Sequence, residues 1–381
     1  MKARASAERT VRILGTHGVP ANYGGFETAA EHIGLHLRER GWRVIVYTQV
    51  VGTGPLSEDI WNGLERVLVP TVREGWHGTS EFDFRSVLHA SRHRDLCLTF
   101  GYNTAVFNIL QRVRRIPNVI NMDGIEWQRA KWGFFERTLF RINERIGLIV
   151  GDELIADHPV IEDYLATKVR RSKLVTITYG ADAVLSAPTD PVISRGLTPA
   201  GYLTLICRPV PENSILELVT AFSSEHRGHT LAVLGNYSPD TDAYHRAVMD
   251  AAGDEVIFLG GIYDPLALAA LRFHASGYLH GHTVGGTNPS LVEALAAGNA
   301  IVAHDNPYNR WVAGDGAIYF TTGQDAADGI SKVLADASLR TALGEASRVR
   351  HAAEFTWERI GGQYEALLDR HVVSPARRWK R

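Results

Sequence analysis

Short apolar runs alternate with longer periodic segments along most of this chain. In the first half the runs are VRILGT, RVIVYT, DLCLTF, NVINMD, ELIAD and KLVTITY. Between the first two, Phe26, Ala30, Ile33 and Leu37 recur at helical spacing and predict an amphipathic helix. Because apolar strands separated by helices are typical of parallel sheets covered on both faces, this order predicts an α/β domain.

A second series of the same kind follows residues 186–199. Its apolar runs are YLTLICR, TLAVLG, EVIFLG, GYLHGH and AIVAH. Residues 186–199 (SAPTDPVISRGLTP) are rich in Pro, Ser and Thr and have little periodicity, which predicts a linker. The sequence therefore predicts two Rossmann-like domains, residues 10–187 and 188–354, that face an interdomain cleft.

The end of the chain, residues 355–373, predicts one more amphipathic helix. Ile360, Tyr364 and Leu367 fall on one face of it. Gly361-Gly362 is expected to interrupt this helix, because glycine is a poor helix former.

Composition and charge exclude several classes of protein. The chain has 381 residues, and its 40 basic residues nearly balance 42 acidic ones, so a nucleic-acid binder is not expected. No apolar run is as long as a membrane-spanning helix, and the start of the chain lacks the apolar centre of a signal peptide. We therefore expect a cytoplasmic protein. Cys97 and Cys207 lie in strand-like runs and are expected to pack as small hydrophobes.

The stretch GGTNPSLVEALAAG, residues 285–298, is the clearest candidate for a binding site. A Gly-Gly turn leads to Thr287 and Asn288 as capping candidates, and Pro289 stands near the first helical position. Unpaired N–H groups and the positive end of the helix dipole would point at whatever lies before Ser290, which suits a phosphate or pyrophosphate. A well-capped crossover helix without a ligand explains the same residues equally well.

Several polar side chains near this stretch could complete an anion site. Glu293, one turn into the predicted helix, could reach hydroxyls of the same ligand. Arg208 ends an apolar strand, where its guanidinium could pair with a pyrophosphate, and an ion pair with Glu212 is the alternative. His280 and His282 have no further metal ligand at suitable spacing nearby, so we expect hydrogen bonding from them instead.

The ends of the predicted first-domain strands carry carboxylates and a phenol. Asp157 and Tyr179 could orient and deprotonate an acceptor hydroxyl, or they could be a cap and a hydrogen-bond partner. Asp123 and Glu126 in NMDGIEW have the same two interpretations. The loop HGVPANYGGFE, residues 17–27, lacks both GxGxxG and the lysine of a P-loop, so it does not indicate a nicotinamide or ATP site, and its glycines also fit a tight turn.

Residues 127–147 predict a helix with an unusual surface. It combines an apolar stripe with a basic row at four-residue spacing: Trp132, Phe135, Leu139, Ile142 and Ile146 on the stripe, and Arg137, Arg141 and Arg145 on the row. A core helix with a solvated basic face is one interpretation. The other is a surface that lies on anionic lipid.

Several separated motifs in a fixed order resemble one known family. They are HGVPANYGGFET, NMDGIEWQRAKW, RPVPEN and GGTNPSLVEALAAGNAIVA. Together they resemble the retaining glycosyltransferases of family 4, most of all the bacterial rhamnosyltransferases with a YGGFET N-terminal domain. The resemblance spans nearly the whole chain. It implies the GT-B fold, an α/β architecture whose C-terminal helix crosses back to pack on the first domain.

The resemblance implies roles for individual residues. Glu293 matches the glutamate that holds the donor ribose, and Arg208 matches the arginine on the donor diphosphate. Asp157 and Tyr179 match positions at the reaction centre, so with Arg208 they are the catalytic candidates. The residues expected to bind the donor are Gly24, Gly25, Arg208, His282, Gly285, Gly286, Thr287, Asn288, Pro289, Ser290 and Glu293. Those expected to bind the acceptor are Glu27, Asp123 and Glu126.

Two departures from the family pattern concern the donor. Many members have a further glutamate where this chain has Gly285, so backbone groups are expected to replace one contact to the sugar. The lysine that often follows the arginine is also absent, leaving Glu212 and Asn213 in that region. Stabilisation of the leaving diphosphate is then expected to depend more on Arg208 and the helix start.

The function implied is the retaining transfer of L-rhamnose from dTDP-L-rhamnose to a polyprenyl-diphosphate-linked saccharide such as N-acetylglucosamine, in bacterial cell-surface polysaccharide synthesis. Neither a metal nor another cofactor is expected. The protein would lie peripherally at the inner face of the plasma membrane, through a patch of Lys131, Trp132, Arg137, Arg141 and Arg145. Another donor, such as UDP-glucose or GDP-mannose, stays open. So do a non-catalytic scaffold that binds a nucleotide sugar and a sugar-nucleotide epimerase.

Overall fold

The computed structural model divides into two compact α/β units. It describes residues 9–21, 24–72, 75–129 and 132–372. The first unit runs to Thr178 and also contains the chain from Trp357 onward, and the second is Tyr179–Thr356. Each unit is built on a sheet covered by helices, mostly parallel in the first unit and wholly parallel in the second, so the predicted fold class is confirmed.

The first unit contains an eight-stranded sheet. Its strands are β1 (Thr10–Leu14), β2 (Arg43–Val51), β3 (Ser57–Trp61), β4 (Leu64–Thr71), β5 (Leu96–Phe100), β6 (Asn118–Asn121), β7 (Glu153–Ala156) and β8 (Leu174–Thr176). They lie in the order β3-β4-β2-β1-β5-β6-β7-β8, and only β3 is antiparallel to its neighbour, β4. The hairpin of β3 and β4 was not predicted.

Helices cover this sheet. They are α1 (Gly25–Glu39), α2 (Gly75–Ala90), α3 (Ala105–Val113), α4 (Phe134–Val150) and α5 (Pro159–Ala166). The predicted face of α1 is present, because Ala30, Ile33 and Leu37 are buried and Phe26 is half-buried. No helix among the described residues combines the length and the apolar character needed to cross a bilayer.

The second unit contains a six-stranded parallel sheet. Its strands are β9 (Tyr202–Ile206), β10 (Thr230–Leu234), β11 (Val256–Gly260), β12 (Gly277–His280), β13 (Ile301–His304) and β14 (Ala317–Phe320). They lie in the order β11-β10-β9-β12-β13-β14. The helices are α6 (Asp190–Ile193), α7 (Ile215–Ser223), α8 (Ala243–Asp250), α9 (Pro265–Phe273), α10 (Pro289–Ala296), α11 (Pro307–Ala313), α12 (Gly323–Ala335) and α13 (Ala337–Glu354). The strand order reverses beside β9 and β12, and in open parallel sheets ligands bind at such a point, beyond the carboxyl ends of the strands.

The segment predicted as a linker, residues 186–199, is instead packed. It contains α6, and Val192 and Leu197 are buried in the same apolar cluster as Leu271 of α9. Pro191 stands in the first turn of α6, where a proline starts a helix well. The composition that suggested an open chain therefore belongs to a helix start, and the division between the units falls earlier, after Thr178.

The C-terminal helix α14 (Trp357–Asp369) belongs to the first unit. Tyr364 is buried, and its hydroxyl accepts a hydrogen bond from Asn121 Nδ2 at 2.9 Å. The expectation that Gly361-Gly362 interrupts the helix is wrong, because α14 is continuous. A Cβ at Gly361 would lie 2.5 Å from Cγ of His36, so this glycine lets α14 approach α1 closely.

Candidate functional site

The loop between β12 and α10 forms a capped helix start. Oδ1 of Asn288 accepts hydrogen bonds from the backbone N–H and the hydroxyl of Ser290, both at 3.1 Å, so Asn288 is the cap, and Pro289 is the first helical residue. Gly285 has a φ of 137°, a value that favours glycine. Within the described part of the chain, the N–H groups of Gly285 and Gly286 have no hydrogen-bond partner. This helix start can accept an anion.

A buried phenol joins this helix start to the end of β9. The hydroxyl of Tyr278 donates to the carbonyl oxygen of Ile206 at 3.1 Å and lies 2.8 Å from Oγ of Ser290. Burial raises the pKa of Tyr278, which keeps the phenol neutral. The start of α10 is thus fixed beside the segment that leads into Arg208.

Arg208 follows β9 with its side chain exposed. No carboxylate among the residues that the structure describes lies within ion-pair distance of its guanidinium, so the alternative ion pair with Glu212 is absent. The Arg208 carbonyl oxygen accepts from Asn213 Nδ2 at 2.8 Å, and the Glu212 carbonyl oxygen accepts from both the N–H and the hydroxyl of Thr283 at 2.9 Å. The loop that carries Arg208 is therefore tied to the loop after β12.

The two histidines at the end of β12 stack on each other. Their ring centroids are 4.4 Å apart, with planes 10° from parallel. His280 is fully buried, and burial lowers its pKa to about 3, so its ring is neutral. The carbonyl oxygen of His282 accepts from Nδ2 of Asn309 at 2.9 Å. Over the described ranges, no group of three or more His, Cys, Asp or Glu side chains is placed to hold a metal ion.

Glu293 lies one turn into α10, and 35% of its side chain is exposed. Its Oε2 is 2.5 Å from Nη2 of Arg272, a buried arginine near the end of α9. Arg272 was not among the candidates from the sequence. The available signal was a single charged residue in the otherwise apolar helix PLALAALRF.

The two catalytic candidates of the first series of strands belong to different units. Asp157 follows β7 and is half-buried, and the next residue, His158, caps α5 by accepting the N–H of Val160 at 3.1 Å. Burial, and to a smaller extent the charge of Asp157, raises the pKa of Tyr364. Tyr179 is half-buried and is the first residue of the second unit.

The glycine loop before α1 is shaped by carboxylates of that helix. Gly24 is exposed and precedes the helix, and Gly25 is its first residue. Glu27 is buried, and its Oε1 accepts the N–H of His17 at 2.8 Å. Glu27, expected to contact an acceptor, therefore has a structural partner within the loop.

The other two acceptor candidates also have protein contacts. Glu126 is buried, with Oε1 accepting from Trp132 Nε1 at 2.9 Å and Oε2 lying 2.6 Å from Nε of Arg129. Asp123 has a φ of 55° and is half-buried. Its N–H donates to Oδ1 of Asn121 at 3.0 Å, so the backbone there turns sharply at the end of β6.

Two of the five residues in the predicted apolar stripe of α4 face solvent, and the other three are half-buried. The buried residues of this helix are Asn143, Glu144, Gly147, Leu148 and Val150. By contrast, Phe134 is 88% exposed, Phe135 72%, Ile142 50% and Ile149 69%. The interpretation of this stripe as a core face is wrong for Phe135 and Ile142, because α4 packs on α3 through smaller and more polar positions.

The basic residues beside this stripe differ in their surroundings. Arg141 and Arg145 are exposed, and the guanidinium of Arg141 lies 4.2 Å from the ring centroid of Trp127. Arg137 is half-buried and donates to the carbonyl oxygen of Arg129 at 3.4 Å. Lys131 lies outside the described residues.

Two α/β units with parallel strands, and a C-terminal helix that belongs to the first unit, are the features of the GT-B fold of glycosyltransferases. Solved structures of that fold match nearly the whole chain. Sucrose-phosphate synthase from Thermosynechococcus elongatus has a TM-score of 0.79 at 19% identity, over 95% of this chain and 99% of that one. HepE of Anabaena, in complex with UDP and glucose, has a TM-score of 0.75 at 16% identity, over 95% and 100%. A UDP-forming α,α-trehalose-phosphate synthase from Burkholderia xenovorans, in complex with glucose-6-phosphate, has a TM-score of 0.72 at 11% identity, over 95% and 100%.

The sequence comparisons are narrower. Residues 101–182 match a family model described as a domain of unknown function (DUF1972). No match was found among curated protein sequences.

Proposed function

We propose that this protein is a glycosyltransferase that binds a nucleotide sugar in its second unit. The observation that carries the proposal is the assembly at the ends of β9 and β12. There Arg208, an exposed arginine with no carboxylate partner in the described chain, follows β9, and Tyr278 joins the end of that strand to a capped helix start with unused N–H groups. An arginine and a helix start are the groups that proteins use to bind a diphosphate.

The chemistry proposed is transfer with retention of configuration. The bond between the anomeric carbon and the diphosphate would loosen first, while Arg208 and the helix dipole of α10 stabilise the negative charge on the leaving group. The acceptor hydroxyl would then attack from the same face. Asp157 and Tyr179 are the groups proposed to orient this hydroxyl, and the Asp157 carboxylate is the group proposed to take its proton. No pair of carboxylates at glycosidase spacing is required.

For the donor we propose dTDP-L-rhamnose, from the resemblance of the YGGFET and GGTNPSLVEALAAG motifs to bacterial rhamnosyltransferases. A second candidate is UDP-glucose, which the fold comparison favours. A structure of the HepE protein of Anabaena in complex with UDP-glucose matches this chain with a TM-score of 0.73. Because residue 285 is a glycine, we expect the backbone there, and not a side chain, to contact either sugar.

For the acceptor we propose a polyprenyl-diphosphate-linked saccharide, reached at an anionic membrane surface. The support is the solvent-facing surface of α4, where exposed Phe134 and Phe135 lie on the same helix as exposed Arg141 and Arg145. Apolar side chains with flanking arginines fit the boundary between acyl chains and anionic head groups. A sugar phosphate is the alternative, because the trehalose-phosphate synthase binds glucose-6-phosphate.

A thermal-shift screen across nucleotide sugars tests the binding site and the donor together. Preferential stabilisation by dTDP-L-rhamnose or by UDP-glucose is expected, because a ligand that binds only the folded state raises its stability. Arg208→Ala and Glu293→Ala should lose most of the shift, whereas Lys332→Ala, which removes an exposed cation on α12, should keep it. A shift that both site variants retain in full would contradict the assignment.

A further inference from the structure

The glutamate proposed to bind the donor ribose is held by a buried partner. Arg272 is 4% exposed, and its Nη2 lies 2.5 Å from Oε2 of Glu293. In the described part of the chain, Glu293 supplies the carboxylate within ion-pair distance of Arg272, and Nε of Arg272 has no hydrogen-bond partner. Burying a charge lowers the stability of the folded state, so joining α9 to α10 does not by itself explain why an arginine stands here.

The direction of the Arg272 side chain shows what it acts on. Its backbone carbonyl oxygen accepts from Nδ2 of Asn299 at 2.8 Å, just beyond the end of α10. Its guanidinium reaches Glu293, one turn after the start of the same helix. The side chain therefore runs along α10 towards the candidate diphosphate site.

Oε2 of Glu293 makes the shortest contact of this ion pair, and the Glu293 side chain remains 35% exposed. Oε2 faces Arg272, and among the described residues no other cation lies within ion-pair distance of the carboxylate. A guanidinium fixes a carboxylate more narrowly than an ammonium does, because its N–H groups point in set directions. The buried guanidinium beside Oε2 therefore restricts where the carboxylate, and with it Oε1, can lie before any ligand arrives.

We propose that Arg272 is a positioning residue for the donor, which fixes Glu293 so that its second oxygen accepts hydrogen bonds from the ribose hydroxyls. This inference rests on the proposed nucleotide-sugar site. Arg272 would then help to select nucleotides that carry a ribose hydroxyl, because a fixed acceptor binds a correctly placed hydroxyl more tightly than a mobile acceptor does.

The test compares nucleotides that differ by one hydroxyl. UDP and dTDP are each titrated calorimetrically against their 3′-deoxy analogues, with the wild-type protein and with Glu293→Ala, Arg272→Met and Arg272→Lys. We expect wild-type protein to favour the hydroxyl-bearing nucleotide of one pair by about tenfold, the size of one charge-assisted hydrogen bond. Glu293→Ala should abolish the preference, Arg272→Met should reduce it to about twofold or threefold, and Arg272→Lys should fall between.

A double variant and a matched control separate positioning from structure. If Arg272 acts through Glu293, adding Arg272→Met to Glu293→Ala should leave the preference unchanged. Arg227→Met removes another arginine with a buried side chain, which pairs with Glu225 at 2.9 Å, lies before β10 and does not contact Glu293. That control is expected to lower stability and to keep the wild-type preference.

The outcomes are distinguishable. Wild-type discrimination in Arg272→Met, or a loss equal to that in Arg227→Met, would show that Arg272 only joins α9 to α10 and would overturn the inference. If Arg272→Met does not fold, Arg272→Lys decides, since unchanged discrimination with a lysine in place would also overturn it. Failure of the wild-type protein to bind UDP or dTDP at all would overturn the proposed function and this inference with it.

Discussion

At the scale of single residues, Gly281 fixes how the candidate site is built. It stands between the stacked histidines at the end of β12. A Cβ at this position would overlap the carbonyl oxygen of Asn213, and it would lie 3.0 Å from Cδ1 of Leu218. Asn213 holds the carbonyl oxygen of Arg208, so the close approach at Gly281 determines where the Arg208 loop lies.

Gly281→Ala is therefore expected to weaken both the fold and the site. Forcing the two loops apart should lower the free energy of unfolding by about 1–3 kcal/mol, as overpacking in a well-packed region does. Nucleotide affinity should fall as well, because the Arg208 loop must shift. Urea unfolding and nucleotide titration measure the two effects.

The matched control for this variant is Gly323→Ala. No heavy atom lies within 4 Å of a Cβ at Gly323, at the start of α12, so this variant should behave as wild type. If Gly281→Ala were as stable as Gly323→Ala, the close approach would not matter.

Sequence patterns indicated some residues of the candidate site and not others, for a physical reason. Arg208, Asn288 and Glu293 follow strand ends or begin a helix, and local rules about strand ends and caps indicate them. Arg272 and Tyr278 act through neighbours that are distant in the chain. Their roles depend on which helices and strands pack together, and no local pattern contains that information.

At the scale of elements, too, local patterns predicted some features, and others depend on which elements pack together. Apolar runs predicted the buried parallel strands, whereas the hairpin of β3 and β4 was missed because β3 (SEDIW) lies at the sheet edge and is mostly exposed. The sequence showed the apolar stripe of α4, but it did not show whether the stripe faces the core or the solvent. That depends on α3, which packs against the face that contains Asn143 and Gly147.

The packing of α2 on α3 predicts a pH-dependent stability. Asp83 of α2 is buried, and its Oδ2 accepts from Oγ1 of Thr104, just before α3, at 2.8 Å. Burial raises the pKa of Asp83 to about 7, above its unfolded value near 4. Since the native state keeps the proton that the unfolded state loses, the stability contributed by Asp83 is present below about pH 4 and is lost as the pH rises to about 7.

Asp83→Asn removes this titration. Compared with wild type, the variant should gain little at pH 4 and progressively more up to about pH 7, by about 1.4 kcal/mol for each unit of pKa difference, with no further gain at pH 8. Urea midpoints of both proteins across this pH range measure the gain. A difference between the two proteins that does not change with pH would contradict this account of Asp83.

At the scale of the whole molecule, the surface of α4 predicts binding to anionic membranes. Phe134→Ser with Phe135→Ser should remove the inserted apolar side chains. Arg141→Glu with Arg145→Glu should remove attraction worth roughly 1 kcal/mol per basic residue. Both double variants are expected to float poorly with anionic liposomes, and the wild-type protein should lose flotation when the lipid is neutral.

Val349→Ser is the control for the apolar pair, since Val349 is a 60% exposed residue of α13 in the second unit. It should float as the wild type does. Equal flotation of all variants would exclude α4 as the membrane surface, and it would leave the fold and the donor site untouched.

The most direct test of the central proposal is release of nucleotide in a transfer assay. Purified protein is incubated with dTDP-L-rhamnose, and in parallel with UDP-glucose, with and without a polyprenyl-diphosphate-linked N-acetylglucosamine. We expect nucleotide to be released from one donor only when the acceptor is present, and Arg208→Ala to slow the release about a hundredfold or more, as loss of a charge-stabilising group does. An isomeric sugar nucleotide formed without acceptor would indicate an epimerase, and absence of turnover with either donor would indicate a binding scaffold. Turnover that Arg208→Ala leaves unchanged would contradict the site described above.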